Sequence, residues 1–312
     1  MVIMSKILSI SLICLSLFIA LSTVSFAVDL EGVYFSDLKN GWIVGDNGKI
    51  FHTADGGASW SAQTTASGED LLDVCFVDDK NGWIAAENGV VVHTADGGTS
   101  WAVQATGTKE HLNSIYFLDA KNGWITGDHG VILYSADGGV SWVPQQSGET
   151  ERLQRIHFID EKQGWVVGSN GIIIHTSDGG TTWKRQKNPV GKHLCSIYFV
   201  NEKNGWAAGD YGCILYTSNG GETWVEQNSD VSRGLNCIYF LDLNNGWVAG
   251  AGGKVLHTAN GGTVWEEEDS GVMMFSLHGV HFVDEKNGWV VGQNNTVIHS
   301  TDGGTTWGEQ NI

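Results

Sequence analysis

Asn122-Gly123-Trp124 and Ser135-Ala136-Asp137-Gly138-Gly139-Val140-Ser141-Trp142 are the two stretches that decide the fold, because both recur along the whole chain. The tryptophan of the first stretch returns about every 41 residues, at Trp42, Trp83, Trp124, Trp165, Trp206, Trp247 and Trp289. A second tryptophan ends each copy of the other stretch, at Trp60, Trp101, Trp142, Trp183, Trp224, Trp265 and Trp307. Together they are all 14 tryptophans of the chain. A fixed period of this length, with short strands and Gly-rich turns, is typical of a β-propeller with one repeat per blade.

The third repeat predicts the composition of one blade. Residues 112–118, 124–126, 131–135 and 141–143 are strand-like, and Asn122-Gly123 is a strong hairpin signal because both residues tolerate a positive φ. Strand three is continuously apolar, which indicates a sheet that is covered on both faces, as a blade is by its two neighbours. We therefore predict an all-β, seven-bladed β-propeller with four antiparallel strands per blade.

The first 27 residues have the composition of a secretory signal peptide. Lys6 precedes an apolar run over residues 7–21, and Ser25-Phe26-Ala27 has small residues at the two positions that a signal peptidase reads. An uncleaved membrane anchor is the alternative, although the run is shorter than the ~20 apolar residues that a span needs. We expect an exported protein, periplasmic or extracellular, in which residues 28–312 form a single propeller domain.

The repeat also predicts how the ring closes. The chain enters at strand one of the first repeat and ends on strand four of the seventh, so each blade should consist of contiguous sequence. Side-chain packing alone would then hold the first blade against the seventh.

The charge of the chain limits its partners. The net charge is −18, and it becomes more negative by one if residues 1–27, with Lys6 as their only charged residue, are removed. An acidic protein repels nucleic acid and anionic membrane surfaces, so we expect neither as a partner.

Four cysteines follow the predicted signal peptide, at Cys75, Cys195, Cys213 and Cys237, and none has the spacing of a zinc or thioredoxin motif. A disulfide between Cys195 and Cys237 is one interpretation, and small buried apolar residues are the other.

The segment ending at Trp142 fits the Asp-box pattern, Ser/Thr-x-Asp-x-Gly-x-Ser/Thr-Trp. Its carboxylate can accept hydrogen bonds from backbone N–H groups of its own loop. The equivalent residues are Asp55, Asp96, Asp137, Asp178, Asn219, Asn260 and Asp302. Because Asn keeps the acceptor oxygen and loses the charge, this column predicts a structural role rather than a metal site or a catalytic acid.

The paired signatures, Asn-Gly-Trp and the Asp box, resemble those of the photosystem II assembly and stability factors among the BNR/Asp-box propellers. The resemblance covers residues 30–310 and implies a non-catalytic protein without cofactor that binds a protein client, such as a membrane protein or its unfolded segment. In photosynthetic members, arginines near the start of strand one face the client. The corresponding residues here are Gly32, Asp73, Ser114, Arg155, Ser196, Cys237 and Gly279, of which Arg155 alone matches.

Histidines recur at two equivalent positions of the repeat and could be taken for metal ligands or catalytic residues. Seven residues of strand three, on seven different blades, are held too far apart to share a metal, so we expect them to pack between blades: His52, His93, Tyr134, His175, Tyr216, His257 and His299. His157 and His281 replace tyrosines of strand one, and this exchange indicates amphipathic residues that fill space.

The rival function is an Asp-box glycoside hydrolase of the sialidase or glucanase type. A sialidase needs an arginine triad, whereas residues 28–312 hold four arginines in all, and no acid stands out from the repeat with an apolar setting. A two-carboxylate hydrolase remains open on composition. An enzyme should have a deep central pocket with two or three unpaired carboxylates, and a binding protein should have a broad face of mixed apolar and basic loops.

The loops from strand four to the next strand one depart most from the repeat, so we expect the partner site there. The loop at Met273, Met274 and Phe275 is one residue longer than its equivalents and apolar where they are charged. A basic arc is expected beside it, formed by Arg152, Arg155, Lys192, His193 and Arg233. This combination predicts a client with apolar and acidic residues, and the alternative is that Phe275 is buried between blades six and seven.

Overall fold

The computed structural model describes residues 27–312, and within them it confirms the seven-bladed propeller. Seven four-stranded antiparallel sheets follow one another along the chain, and the strands of each sheet pair in sequence order. The predicted signal peptide lies outside the described residues, except for Ala27.

The four strands of each blade have similar bounds in all seven repeats. The first strands are β1 (Leu30–Phe35), β5 (Leu71–Phe76), β9 (Leu112–Phe117), β13 (Leu153–Phe158), β17 (Leu194–Phe199), β21 (Leu235–Phe240) and β25 (Leu277–Phe282). The second strands are β2 (Gly41–Gly45), β6 (Gly82–Ala86), β10 (Gly123–Gly127), β14 (Gly164–Gly168), β18 (Gly205–Gly209), β22 (Gly246–Gly250) and β26 (Gly288–Gly292). The third strands are β3 (Lys49–Thr53), β7 (Val90–Thr94), β11 (Val131–Ser135), β15 (Ile173–Thr176), β19 (Cys213–Thr217), β23 (Lys254–Thr258) and β27 (Thr296–Ser300). The fourth strands are β4 (Ser61–Gln63), β8 (Ala102–Ala105), β12 (Val143–Gln146), β16 (Lys184–Arg185), β20 (Val225–Gln227), β24 (Glu266–Glu268) and β28 (Gly308–Glu309).

Helical structure is confined to short turns between strands two and three. Five of these connections form a single 3₁₀ turn, at Asp46–Gly48, Glu87–Gly89, Asp128–Gly130, Ser169–Gly171 and Asp210–Gly212. Over residues 27–312 the structure contains no helix with the length and apolar character that a membrane span requires.

The first tryptophan of each repeat joins its blade to the next one. Trp124 of strand β10 is buried and stacks on Phe158 of the following blade, with ring centroids 3.8 Å apart. Its indole Nε1–H donates to the carbonyl of Gly179, in the Asp-box loop of that blade, at 3.3 Å. The repeat therefore encodes the contact between blades as well as the blade itself.

Ring closure uses the same contact. Trp289 of blade seven stacks on Phe35 of blade one with centroids 3.6 Å apart, and each blade is contiguous in sequence, as predicted. The expectation that side-chain packing alone closes the ring is wrong. The N–H of Asn295 donates to the carbonyl of Val28 at 2.8 Å, and the N–H of Val28 donates to Asn295 Oδ1 at 3.0 Å. The backbone N–H and C=O groups of the segment before β1 need hydrogen-bond partners, and a loop of blade seven provides them.

One local prediction needs correction, and another is supported. In blade three the fourth strand begins at Val143, after Trp142, because the Asp-box turn extends through the tryptophan. The seven strand-three residues pack between blades, as Tyr134 and Tyr216 show, and they also contact the first tryptophan of their own blade. His52 is the cross-strand partner of Trp42, and their ring centroids are 4.9 Å apart.

The four cysteines of the described chain are unpaired, so the disulfide between Cys195 and Cys237 is not formed. Cys75, Cys213 and Cys237 are buried, whereas Cys195 is partly exposed.

Candidate functional site

Every blade has a β-bulge at the second residue of its first strand. In blade one Leu30 pairs with Gly45 and Gly32 pairs with Val44, so Glu31 has no partner in β2. The same shift of register occurs in all seven blades. A bulge inserts one residue and re-aims its side chain. The seven bulged residues line one cavity, and we call them the bulge ring: Glu31, Leu72, Asn113, Gln154, Cys195, Asn236 and His278.

The bulge ring surrounds the mouth of the central channel, a cavity of about 290 Å³. Three residues from the loops between strand four and strand one also line it, namely Arg152, His193 and Ser276, and so does Arg155. The mouth therefore opens on the face where the loops vary most. Three of the predicted partner residues, Arg152, Arg155 and His193, meet there.

Arg152 is held at the mouth by its neighbours in blade three. Its Nη2 donates to Asn113 Oδ1 at 2.7 Å, and its Nε lies 3.2 Å from Asp128 Oδ1. The amide nitrogen of Asn113 in turn donates to Asp128 at 2.9 Å. These contacts fix the guanidinium group while leaving part of the side chain exposed.

Arg155 spans the channel to reach a carboxylate two blades away. Its Nη1 donates to Asp73 Oδ1 at 3.0 Å, and the second oxygen of Asp73 accepts from Ser114 Oγ at 2.8 Å and from the N–H of Ile115 at 3.0 Å. Burial lowers the pKa of Arg155, but the charge and hydrogen bond of Asp73, together with Cys237 and Cys75, raise it overall. The ion pair thus crosses the channel below the bulge ring.

Deeper in the channel is a ring of aromatic and imidazole side chains around a cavity of about 280 Å³. Its members come from the fifth position of strand one: Tyr34, Cys75, Tyr116, His157, Tyr198, Tyr239 and His281. Burial lowers the pKa of His157 and of His281 to about 4, so both are neutral at neutral pH. The ring is consequently uncharged, as expected for amphipathic residues that fill space.

Acidic residues are concentrated on one side of the mouth. Asp29, Glu31, Asp46 and Asp70 belong to blades one and two. Burial, then the charges of Asp70, Glu31 and Asp29, raise the pKa of Asp46 to about 6. Burial alone would lower the pKa of His278, but Glu31 at 3.0 Å raises it. Arg152 lies across the mouth at blade four, where Asp128 pairs with it, and burial lowers the pKa of His193 in blade five.

The predicted basic arc is not a row of free charges. Arg152 and Arg155 have the acidic partners described above, and Lys192 Nζ donates to Glu226 at 2.8 Å. Arg233 lies over the backbone of Gly252, where an added Cβ would come within 3.1 Å of it. The excess of acidic residues in the chain explains the correction, because a carboxylate is within reach of most of these cations.

The apolar loop lies apart from the mouth. Met273 is 80% exposed, Met274 is 89% exposed and Phe275 is 37% exposed, so Phe275 is not part of the core. None of the three lines the mouth cavity, whereas the next residue, Ser276, does. The predicted partner residues at the mouth and those in the apolar loop therefore do not form one continuous surface.

The Asp boxes occupy the opposite face. Asp137 accepts from the N–H of Ser141 at 2.9 Å, from Ser141 Oγ at 2.6 Å and from Ser135 Oγ at 2.8 Å. Asn219 accepts from the N–H of Thr223 at 3.0 Å, and Asn260 accepts from that of Val264 at 2.9 Å. The carboxylate and the amide thus satisfy the same backbone donor.

Two carboxylates of the described chain line the channel. Within residues 27–312, Glu31 and Asp73 are the carboxylates that line the two channel cavities, and each has a cationic partner. The same residues contain no group of three His, Cys, Asp or Glu side chains arranged to hold a metal ion.

Sequence reasoning missed the bulge ring. The signal was present, because the second residue of strand one differs between nearly all blades while Leu precedes it in every one. What the sequence did not reveal is that a bulge turns this column into the channel mouth.

These features define the class of protein: a BNR/Asp-box seven-bladed propeller with a structural face of Asp boxes and a variable face around the channel. The family described as photosynthesis system II assembly factor YCF48 matches residues 18–110, 100–189 and 183–271. The chain belongs to this family.

Solved structures support the fold. YCF48 bound to D1 peptide is 22% identical over 88% of this chain and 92% of that chain, with a TM-score of 0.75. YCF48 from Cyanidioschyzon merolae is 19% identical over 89% and 97% of the two chains, with a TM-score of 0.73. The GH74 xyloglucanase from Xanthomonas campestris is 12% identical over 91% and 55%, with a TM-score of 0.75. At these identities the likeness establishes the fold alone. Among curated proteins, no sequence matches the chain.

Proposed function

We propose that this protein is an exported, non-catalytic assembly factor that holds an extended segment of a protein client across the channel mouth. The bulge ring carries this proposal. In a molecule that repeats itself seven times, the side chains around the mouth are the ones that differ from blade to blade, and a bulge directs each of them into one cavity. Membership of the assembly-factor family, and a similar propeller solved with a D1 peptide, support a polypeptide as the ligand.

The charges at the mouth indicate how a segment would lie. Arg152 and Arg155 retain N–H groups beyond those used by Asp128 and Asp73, and they can donate to a carboxylate of the client. Asp29 and Asp70, on the other side, favour a cationic group. The client segment would therefore cross the mouth with its acidic end at blades four and five.

Export is part of the proposal. Removal of residues 1–27 would leave Val28 as the first residue, and the hydrogen bond from its nitrogen to Asn295 Oδ1 would persist in an α-amino group. N-terminal sequencing of protein from the envelope or the medium should start at Val28. Full-length protein in the membrane fraction would instead support a retained anchor.

Site-specific photo-crosslinking in the native cell envelope tests the binding face. A crosslinking residue at Gln154, in the bulge ring, should capture a client protein, whereas one at Lys203, on the Asp-box face, should not. Equal capture from both faces, or none from Gln154, would contradict the proposal.

A matched pair of arginine variants tests the chemistry. Arg152→Ser should reduce capture from Gln154 several-fold, because it removes a donor at the mouth. Arg185→Ser is the control, since Arg185 also forms a surface ion pair, with Glu149 at 3.0 Å, away from the mouth cavity. Equal loss from both variants would indicate a general effect of charge.

A further inference from the structure

A second surface lies at the rim of the propeller, on the loop between blades six and seven. It consists of Met273, Met274 and Phe275, which we call the methionine ridge. Met274 has a φ of 75°, a conformation that is costly for a residue with a side chain. The two methionines are among the most exposed large apolar residues in the described chain. Exposed apolar groups held in a strained turn point to a surface that is kept for binding.

Met273 forms the crest between two grooves. One has a volume of about 330 Å³ and is lined by apolar side chains, among them those of Phe275 and Trp307, and by the polar side chains of Asn294, Thr296 and Glu309. The other has a volume of about 410 Å³ and is lined by the glycines and Lys254 of blade six, and by Glu267, Glu268 and Asp269. The ridge therefore has a groove of mixed polarity on one side and an acidic groove on the other.

The acidic groove has more negative charge than its cation can balance. Strand β24 is Glu266-Glu267-Glu268, and Asp269 follows it. Lys254 pairs with Glu267, and His257 lies 3.9 Å from Glu268 at the edge of ion-pair distance. Burial and the charges of Glu266 and Asp302 raise the pKa of Glu268, as expected for carboxylates that crowd one another.

Glu268 also interrupts a structural pattern of the repeat. The six other blades have Gln at this position: Gln63, Gln104, Gln145, Gln186, Gln227 and Gln310. Each of these side chains hydrogen-bonds to the next blade, either accepting from a Trp Nε1 or donating to an Asp-box glycine carbonyl. Glu268 makes neither bond in the described structure. The buried Nε1 of Trp307 has no partner among the described residues, as is also true of Trp60 and Trp142. Blade six thus forgoes a contact between blades and gains a carboxylate beside the ridge.

We propose that the methionine ridge and its acidic groove form a second docking surface, for a protein segment that combines Lys or Arg with apolar residues. Flexible, polarisable methionines adapt to varied apolar side chains, and the carboxylates select cations. The same carboxylates repel an anionic lipid surface, so the occupant is a polypeptide rather than a membrane. This surface is separate from the channel mouth, and its occupant has the opposite charge preference to the one expected beside the basic arc.

Three short peptides with the folded protein test the chemistry: one alternates Lys and Leu, one Lys and Ser, and one Glu and Leu. The Lys-Leu peptide should bind tightest, and each of the others should bind at least about tenfold more weakly, which corresponds to ~1.4 kcal/mol. Phosphatidylglycerol vesicles should not bind. Equal binding of the Lys-Ser and Lys-Leu peptides would mean that net charge alone drives binding, which contradicts a role for the methionines. Preference for the Glu-Leu peptide or for the vesicles would also overturn the proposal.

Variants connect the peptide to the ridge. Replacing Met273 and Met274 together with Ser should weaken Lys-Leu binding about tenfold at an unchanged melting temperature, because both side chains are largely in solvent. Val225→Ser, which alters an exposed apolar residue on strand four of blade five, is the control and should leave binding unchanged. Equal binding by the double variant and the wild type would contradict the proposal.

Glu268→Gln gives a readout that a merely structural role would not. It restores the residue of the other six blades, so the melting temperature should rise while the affinity for Lys-Leu falls. A rise in stability with unchanged binding would remove Glu268 from the surface, and the proposal would then fail.

Discussion

The two faces of this propeller are made by the same seven repeats, yet they differ in how far the copies agree. On the Asp-box face, Asp137 and its equivalents form nearly the same hydrogen bonds in every blade. On the channel-mouth face the bulge ring holds seven side chains that differ in charge, size and polarity. The comparison teaches that repetition serves the fold here, and that function is to be sought where the copies diverge.

The largest effect should come from a residue that every copy keeps. Trp165 is fully buried, stacks on Phe199 of the next blade at 3.7 Å and donates to the carbonyl of Gly220 at 3.1 Å. Trp165→Ala should lower the free energy of unfolding by ~3–5 kcal/mol, because it leaves a cavity between two blades. Chemical denaturation measures the change. A loss below ~1 kcal/mol would mean that the blades do not depend on this contact.

The channel ring and the Asp-box face should lose stability in different pH ranges. His157 and His281 have a pKa of about 4 in the folded state and about 6.5 when unfolded, so unfolding takes up protons below pH ~6.5. Stability should therefore be complete above pH ~6.5 and fall towards pH 4, by up to roughly 3 kcal/mol for each histidine.

Replacing both histidines with Tyr, the residue of four other blades, should reduce this dependence, and the rest comes from other histidines whose pKa burial lowers, such as His52 and His93. Denaturation curves between pH 7 and pH 4 compare the variant with the wild type. If the slope with pH is the same in both, then the imidazoles are not the groups that titrate.

The sequence predicts the features that all seven repeats share better than the features that differ between repeats. The sevenfold recurrence of the pair formed by Trp124 and Trp142 predicts the number of blades. It also predicts the strands of each blade, because seven copies of a pattern are less ambiguous than one. It does not predict that Glu31 lies at a bulge, since a bulge is a property of the pairing between two strands. Nor does it predict that Lys192 meets Glu226, because the partner lies in strand four of the same blade, in a part of the sequence that differs among repeats.

The methionine loop illustrates the limit most clearly. Its length and polarity single out Met273 and Met274 in the sequence, and the structure finds both exposed. The charges around them differ from the expected basic arc. Arg152, Arg155 and His193 line the channel mouth and Lys192 is paired with Glu226, whereas Glu268 and Asp269 line the groove beside the ridge. The packing of blades determines which charged residues lie next to a loop, and the sequence of the loop alone does not predict that packing.

A smaller effect should come from the Asp-box face. Asp137→Ala should lower the melting temperature, because the N–H and hydroxyl of Ser141 lose their acceptor, whereas Asp137→Asn should have little effect at pH 7. The hydrogen bonds of the box lower the pKa of Asp137, so its contribution is present above pH ~4 and is lost as the pH falls further. Thermal melts at pH 7 and pH 3 check both statements. Equal, severe losses for Ala and Asn would point to a role for the charge itself.

The smallest effect should be a gain in stability on the mouth face. Tyr211 lies in the turn between strands two and three with a φ of 59°, and its side chain is 71% exposed. Asn holds the equivalent position in blades one, two and four, and Asn accepts a positive φ more readily than Tyr does. Tyr211→Asn should therefore raise the free energy of unfolding by less than ~1 kcal/mol, and Asn170→Tyr should lower it by a similar amount. Denaturant titrations of the two variants form the matched test. If Tyr211→Asn destabilises the protein, the ring of Tyr211 packs usefully in the free molecule. If Tyr211→Asn stabilises the protein, then the mouth face keeps Tyr211 at the expense of stability. A residue kept for binding is expected to have such a cost, whereas the residues of the Asp-box face stabilise the fold.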